Sequence, residues 1–64
     1  MYVELNRTKY FIMPFGMNPD AFIVCVEDDG QLKQIAGPYM SVEELEADLS
    51  AIAEKWENDR VEQL

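Results

Sequence analysis

A chain of 64 residues with 13 acidic side chains, 5 basic ones and no histidine has a formal net charge of −8. It has room for one small domain with a thin core, and it is electrostatically repelled by nucleic acid and by anionic membranes. A basic protein surface is the partner that such a charge favours, with direct nucleic-acid or membrane contact excluded.

The composition argues for folding. The apolar fraction is 48% and aromatic residues make up 11%, more than a disordered chain carries. Met1-Tyr2-Val3-Glu4-Leu5 lacks the basic start and apolar segment of a signal peptide. No apolar run approaches the roughly 20 residues needed to span a bilayer. Cys25 is the single cysteine, so no internal disulfide can form. Small secreted domains are usually disulfide-rich, which makes a reducing cytoplasm the expected location.

The first predicted element is a strand over residues 9–13, Lys9-Tyr10-Phe11-Ile12-Met13, dense in aromatic and branched side chains, with a start as early as Tyr2. Pro14 and the Phe15-Gly16-Met17-Asn18-Pro19 segment are expected to break it, since proline lacks a ladder donor. A second strand is predicted over 21–27, with Cys25 as a small buried hydrophobe. Asp28-Asp29-Gly30 then signals a hairpin. A three-residue loop, the preferred register, sets Val26 opposite Leu32; a two-residue loop at Asp29-Gly30 instead sets Val24 opposite Ile35. The third strand covers 31–36 and stops at Gly37-Pro38.

A helix is predicted over 42–60. Ser41 and Glu44 form a capping box, and Met40 is placed to staple against Leu45. Val42, Leu45, Leu49, Ile52 and Trp56 recur at steps of three and four, which is one buried face. The expected fold is α+β: one domain over residues 1–64, with a three-stranded antiparallel sheet and one C-terminal amphipathic helix packed on one face.

Both long strands are apolar on both sides: Phe22, Val24 and Val26 against Ile23 and Cys25, and Tyr10 and Ile12 against Phe11 and Met13. One helix shields one face of a sheet, so something else must cover the second. The candidates are the N-terminal segment Tyr2 to Leu5, the Phe15–Met17 loop, a second copy of the chain in a homodimer, or a target protein.

The chemistry of the chain is restricted. Without histidine and with one cysteine, transition-metal sites and the common nucleophile–base pairs are ruled out, and no glycine-rich phosphate loop or dinucleotide fingerprint occurs. Asp28-Asp29-Gly30 lacks the alternating ligands and late glutamate of a calcium loop. No cofactor and no metal are expected, and the chain is read as a binding protein, not an enzyme.

The charge is unevenly placed. Residues 41–64 hold eight acids and two bases, which is −6 of the total −8. At 100° per residue, Glu43, Glu46, Glu54 and Glu57 fall along one flank of the helix with Ser50 between them and no cation among them. The other flank holds Glu44, Asp48, Asp59 and Glu62, relieved by Lys55. Acids in the first turn suit the helix dipole; Glu57, Asp59 and Glu62 at the far end oppose it. The uncompensated row from Glu43 to Glu57 rises about 21 Å, enough to occupy a groove built for a nucleic-acid backbone. Glu27, Asp28 and Asp29 extend it if the hairpin tip lies near a helix end. The candidate partner-binding residues are therefore Glu43, Glu46, Glu54, Glu57, Asp28 and Asp29.

In size, in lacking histidine and cysteine pairs, and in its carboxylate-lined helix from Ser41 to Leu64, the chain resembles the small acidic inhibitors that phages and mobile elements make against host defence nucleases, among them the DNA-mimicking anti-CRISPR proteins. The resemblance implies an inhibitor acting in the host cytoplasm, which occupies the basic nucleic-acid channel of a Cas-type complex and excludes its DNA. Two other classes fit the same residues: a structural or accessory protein that dimerises through its apolar sheet face, and an antitoxin-like neutraliser of a basic toxin.

Overall fold

The computed structural model describes the backbone of residues 1–62, and the side chains among them except at positions 18, 19, 61 and 62. The fold is α+β, an antiparallel sheet followed by one C-terminal helix, but the sheet has four strands and not three. The strands are β1 (Tyr2–Leu5), β2 (Thr8–Phe15), β3 (Asn18–Asp28) and β4 (Gln31–Tyr39), each beside its sequence neighbour, and α1 spans Val42–Glu62.

The additional strand comes from a hairpin with no glycine to announce it. Leu5 pairs with Thr8, so Asn6 and Arg7 alone make the turn, at φ of 51° and 67°. Two successive left-handed residues make the kind of turn whose twist matches antiparallel strands. The N-terminal segment thus lies beside β2 as an edge strand and covers neither face.

Each predicted strand is longer than expected: 9–13 becomes 8–15, 21–27 becomes 18–28, and 31–36 becomes 31–39. Pro14 does not end β2, and the pairing with β1 explains why. The amide of Ile12 donates to the carbonyl of Met1 at 2.9 Å. The backbone nitrogen two residues on, at Pro14, points to the same side but lies beyond the pairing with β1, which spans Tyr2–Leu5 opposite Phe11 to Thr8. The missing donor therefore falls on an open edge. A register shift follows between Pro14 and Phe15, and Gly16, at φ 59°, helps turn the chain into β3.

The hairpin between β3 and β4 is the two-residue form and not the preferred three-residue one. Asp28 pairs with Gln31, while Asp29 and Gly30 take φ of 55° and 80°. Val26 accordingly faces Lys33 instead of Leu32, and a bulge moves Val24 opposite Ala36 instead of Ile35. Gly37 does not stop β4. Its φ is 108°, and a Cβ there would stand 2.9 Å from the Phe22 carbonyl oxygen, so strand crowding and dihedral both require glycine.

The helix packs on one face of the sheet. Tyr10, Ile12, Val24 and Val26 from the strands and Leu45, Leu49 and Ala53 from the helix form the buried cluster, flanked by Val3, Leu5, Phe22, Ile35, Ala36, Tyr39, Ile52 and Trp56. The predicted stripe needs correction: Val42, Ile52 and Trp56 are half-buried, and Ala53 joins Leu45 and Leu49 as the fully packed positions. Successive steps of four rotate the helix by about 40° each, which brings 45, 49 and 53 over the sheet and tilts 52 and 56 towards β4. Met40 remains 63% exposed, so stapling is not what buries Leu45.

Candidate partner-binding surface

The helix begins where local chemistry dictates. The amide of Glu44 donates to the Ser41 hydroxyl oxygen at 3.1 Å, the serine half of the expected capping box. Glu43 and Glu44 occupy the first turn, where the dipole favours anions. The helix then runs back past β4, from Tyr39 beside its first turns to Lys33 beside Trp56 near its end.

The four carboxylates predicted to share a flank are placed as follows. Glu43, Glu46 and Glu54 are exposed, as is Ser50 between them, and Glu57 is half-buried. The lower part of this flank overhangs the first hairpin: Ser50, Glu54 and Glu57 border a shallow hollow with Leu5, Asn6 and Ala53. Glu57 is drawn inward by the same rotation that buries Ala53, one turn earlier. Its charge acts on Tyr10, whose buried hydroxyl makes no well-formed hydrogen bond and interacts only loosely with the Thr8 side chain. Burial first and the Glu57 charge second push the Tyr10 phenol above its ordinary 10.0, while Thr8 and Arg60 pull it back.

On the opposite flank, Asp48 sits by Tyr39. Burial, followed by the hydrogen bond and charge of Asp48, raises the Tyr39 pKa. Lys55 and Asp59 border an open groove of about 450 Å³ between the helix and β4, along with Lys33 and Trp56. The Lys33 ammonium and the Arg60 guanidinium each lie 5.7 Å from the Trp56 ring centroid, within cation–π reach. Glu62 lies outside the described side chains.

Asp28 and Asp29 are exposed at the β3–β4 tip. The tip does lie near a helix end, but near the end that carries Arg60. Glu27 and Asp29 border one surface depression with Arg7, Lys9 and Arg60. Glu27 and Asp29 therefore stand among three of the chain's five cations and do not lengthen a bare carboxylate row. This convergence was not readable from sequence. It depends on both β1–β2 and β3–β4 turns meeting the last helical turn at one end of the sheet.

Cys25 is buried, and burial raises its pKa from 9.0. Among the described residues no three histidine, cysteine or acidic side chains are grouped as metal ligands would be, and no helix is long and apolar enough to cross a membrane. No protein family, curated protein or solved structure was found to match this chain.

Proposed function

We propose that the protein is a non-enzymatic acidic inhibitor that lays the Glu43–Glu57 flank of its helix into a basic nucleic-acid-binding surface, of the kind found in Cas-type defence complexes, and blocks DNA binding there. One observation carries this reading: Glu43, Glu46 and Glu54 are exposed in line with the half-buried Glu57, and the row has no cation in it. Along about 21 Å of helix, the carboxylates offer a groove lined with Lys and Arg a succession of charges in place of phosphates. Their stabilising role is small, because only Glu43 and Glu46 lie near enough to the helix start to gain from its dipole.

The half-burial of Glu57 supports the same reading. A carboxylate held against the packed core loses less side-chain freedom on docking than a freely rotating one. The row is thus anchored at its far end by the fold. Asp28 and Asp29 fit as secondary contacts, Asp29 tempered by neighbouring cations.

The test is inhibition of DNA binding by purified Cas-type complexes, with the parent protein and with Glu43→Lys/Glu46→Lys/Glu54→Lys/Glu57→Lys. The parent is expected to reduce DNA binding by a susceptible complex, DNA is expected to displace it, and the quadruple variant is expected to be inactive while folded. A basic toxin as target would share the salt dependence but show no competition with DNA unless the toxin itself binds nucleic acid.

A further inference from the structure

The face of the sheet turned away from the helix has an apolar centre, bordered by Glu4, Lys9, Glu27 and Gln34. Cross-strand pairing sets Tyr2 against Phe11, Phe11 against Cys25, and Met13 against Ile23, and strand alternation brings Leu32 to the same side. The Tyr2 and Phe11 rings pack with centroids 5.8 Å apart. Phe11, Met13 and Ile23 are half-buried, while Tyr2 and Leu32 are each 53% exposed. Neither self-covering candidate lies over this face. β1 extends the sheet sideways, and Phe15 and Met17 at the next turn are themselves exposed.

We propose that a second copy of this chain covers this face, giving a back-to-back dimer with the two sheets in contact and the two helices outermost. The charge distribution leaves this face as the one by which two copies can meet. Residues 41–64 carry −6, whereas residues 1–40 carry five acids against three bases. A contact between copies that used the helices would press two carboxylate rows together. In the sheet-to-sheet arrangement, layers about 10 Å apart hold the helix axes about 30 Å from each other, more than three Debye lengths at physiological salt. The sheet face is the surface on which two such acidic molecules meet with little repulsion.

Its own charges favour a like partner as well. Lys9 pairs across the strands with Glu4, and its ammonium lies 5.1 Å from the Tyr2 ring centroid. A rim that carries both signs can be matched by a symmetry-related copy, with Lys9 of one facing a carboxylate of the other. A cation-rich partner gains little here, because the acidic row lies on the far side of the molecule. The result is an α/β/β/α sandwich in which each sheet has both faces covered, and both acidic flanks stay open to their target.

Sedimentation velocity and light scattering across the micromolar range test the proposal. The expected mass is twice the chain mass of 7.4 kDa, and added salt should leave the dimer intact or tighten it. Tyr2→Lys/Leu32→Lys is expected to weaken association by about tenfold or more with the helical circular dichroism retained, since both positions are largely exposed in the monomer. These changes lower the net negative charge, so a loss of dimer would not be a general repulsion effect. The quadruple glutamate-to-lysine variant should still dimerise, which separates this proposal from the inhibitor reading. A monomer at all concentrations in high salt would overturn the proposal, as would a Tyr2→Lys/Leu32→Lys variant that dimerises as tightly as the parent, or a dimer lost in the quadruple variant alone.

Discussion

Burial first, and the charge of Glu57 on the helix second, raise the pKa of Tyr10 in the sheet, a phenol whose hydroxyl is closed to solvent and makes no well-formed hydrogen bond. One turn of helix thus joins the hydrophobic core to the candidate binding flank. The same rotation that puts Ala53 over the sheet presses the last carboxylate of the row towards the protein.

Alkaline stability should report this arrangement. Burial raises the pKa of Tyr10, Tyr39 and Cys25 above their ordinary values of 10.0, 10.0 and 9.0, so the unfolded chain releases these protons first. The stabilisation is fully present below those ordinary values and is lost as pH rises from them through the folded-state values. Urea denaturation midpoints are expected to be flat from pH 7 to about 9 and to fall above it. Tyr10→Phe should flatten part of the fall. An unchanged midpoint up to pH 11 would show that the phenols are not held protonated by the fold.

Tyr10→Phe also tests the buried hydroxyl at neutral pH. Removing a buried polar group that makes no well-formed hydrogen bond and only a loose one to Thr8 should be neutral or stabilising by about 1 kcal/mol, read as a denaturation midpoint that is unchanged or higher. A loss of more than about 1 kcal/mol would mean that the hydroxyl has a partner in solution.

Leu49→Ala should destabilise the domain by about 2–4 kcal/mol, a large share of what so small a core supplies. Leu49 is 6% exposed and belongs to the central cluster. Circular dichroism and urea titration would show partial or complete unfolding, and a change below 1 kcal/mol would contradict the helix–sheet packing.

The fold was legible wherever one local rule acted alone. The capping serine and the buried Leu45 and Leu49 stand in the sequence with their usual chemistry, and a hairpin at Asp28-Asp29-Gly30 was signalled, although with the three-residue loop preferred over the two-residue turn that forms. The fourth strand was not legible, because Asn6-Arg7 turns tightly without glycine. Pro14 misled for a related reason: a proline costs a ladder bond only where a neighbouring strand would accept it, and that depends on where β1 ends. Of the candidate site, the linear carboxylate row follows from helical periodicity, while the half-burial of Glu57 does not. The gathering of Arg7, Lys9 and Arg60 around Glu27 and Asp29 is tertiary, and no spacing in the sequence encodes it.

Arg7→Gly should stabilise the protein. Arg7 holds φ at 67°, a conformation that costs an L residue about 1–2 kcal/mol, and Asn-Gly is the favoured pair in this turn. Offset by the greater freedom of glycine in the unfolded chain, the gain should be about 0.5–1 kcal/mol. A lower denaturation midpoint would show that the arginine side chain supports the hairpin.

Ser50→Glu offers a gain-of-function test. Ser50 is exposed midway between Glu46 and Glu54, a stretch of about 12 Å of helix in which the row has no charge. If the row mimics a phosphate backbone, filling the gap should tighten binding to a susceptible complex several-fold at low salt and less at high salt. Unchanged or weaker inhibition would argue against charge succession as the recognition feature.

The most direct measurement is salt-dependent inhibition of DNA binding by purified Cas-type complexes, comparing the parent with the variant in which Glu43, Glu46, Glu54 and Glu57 are replaced by lysine. The parent should inhibit at least one complex, lose potency as salt rises and be displaced by DNA; the variant should keep its helical spectrum and fail to inhibit. A folded quadruple variant that inhibits as well as the parent would contradict the account, as would a parent protein that leaves DNA binding by every complex unchanged.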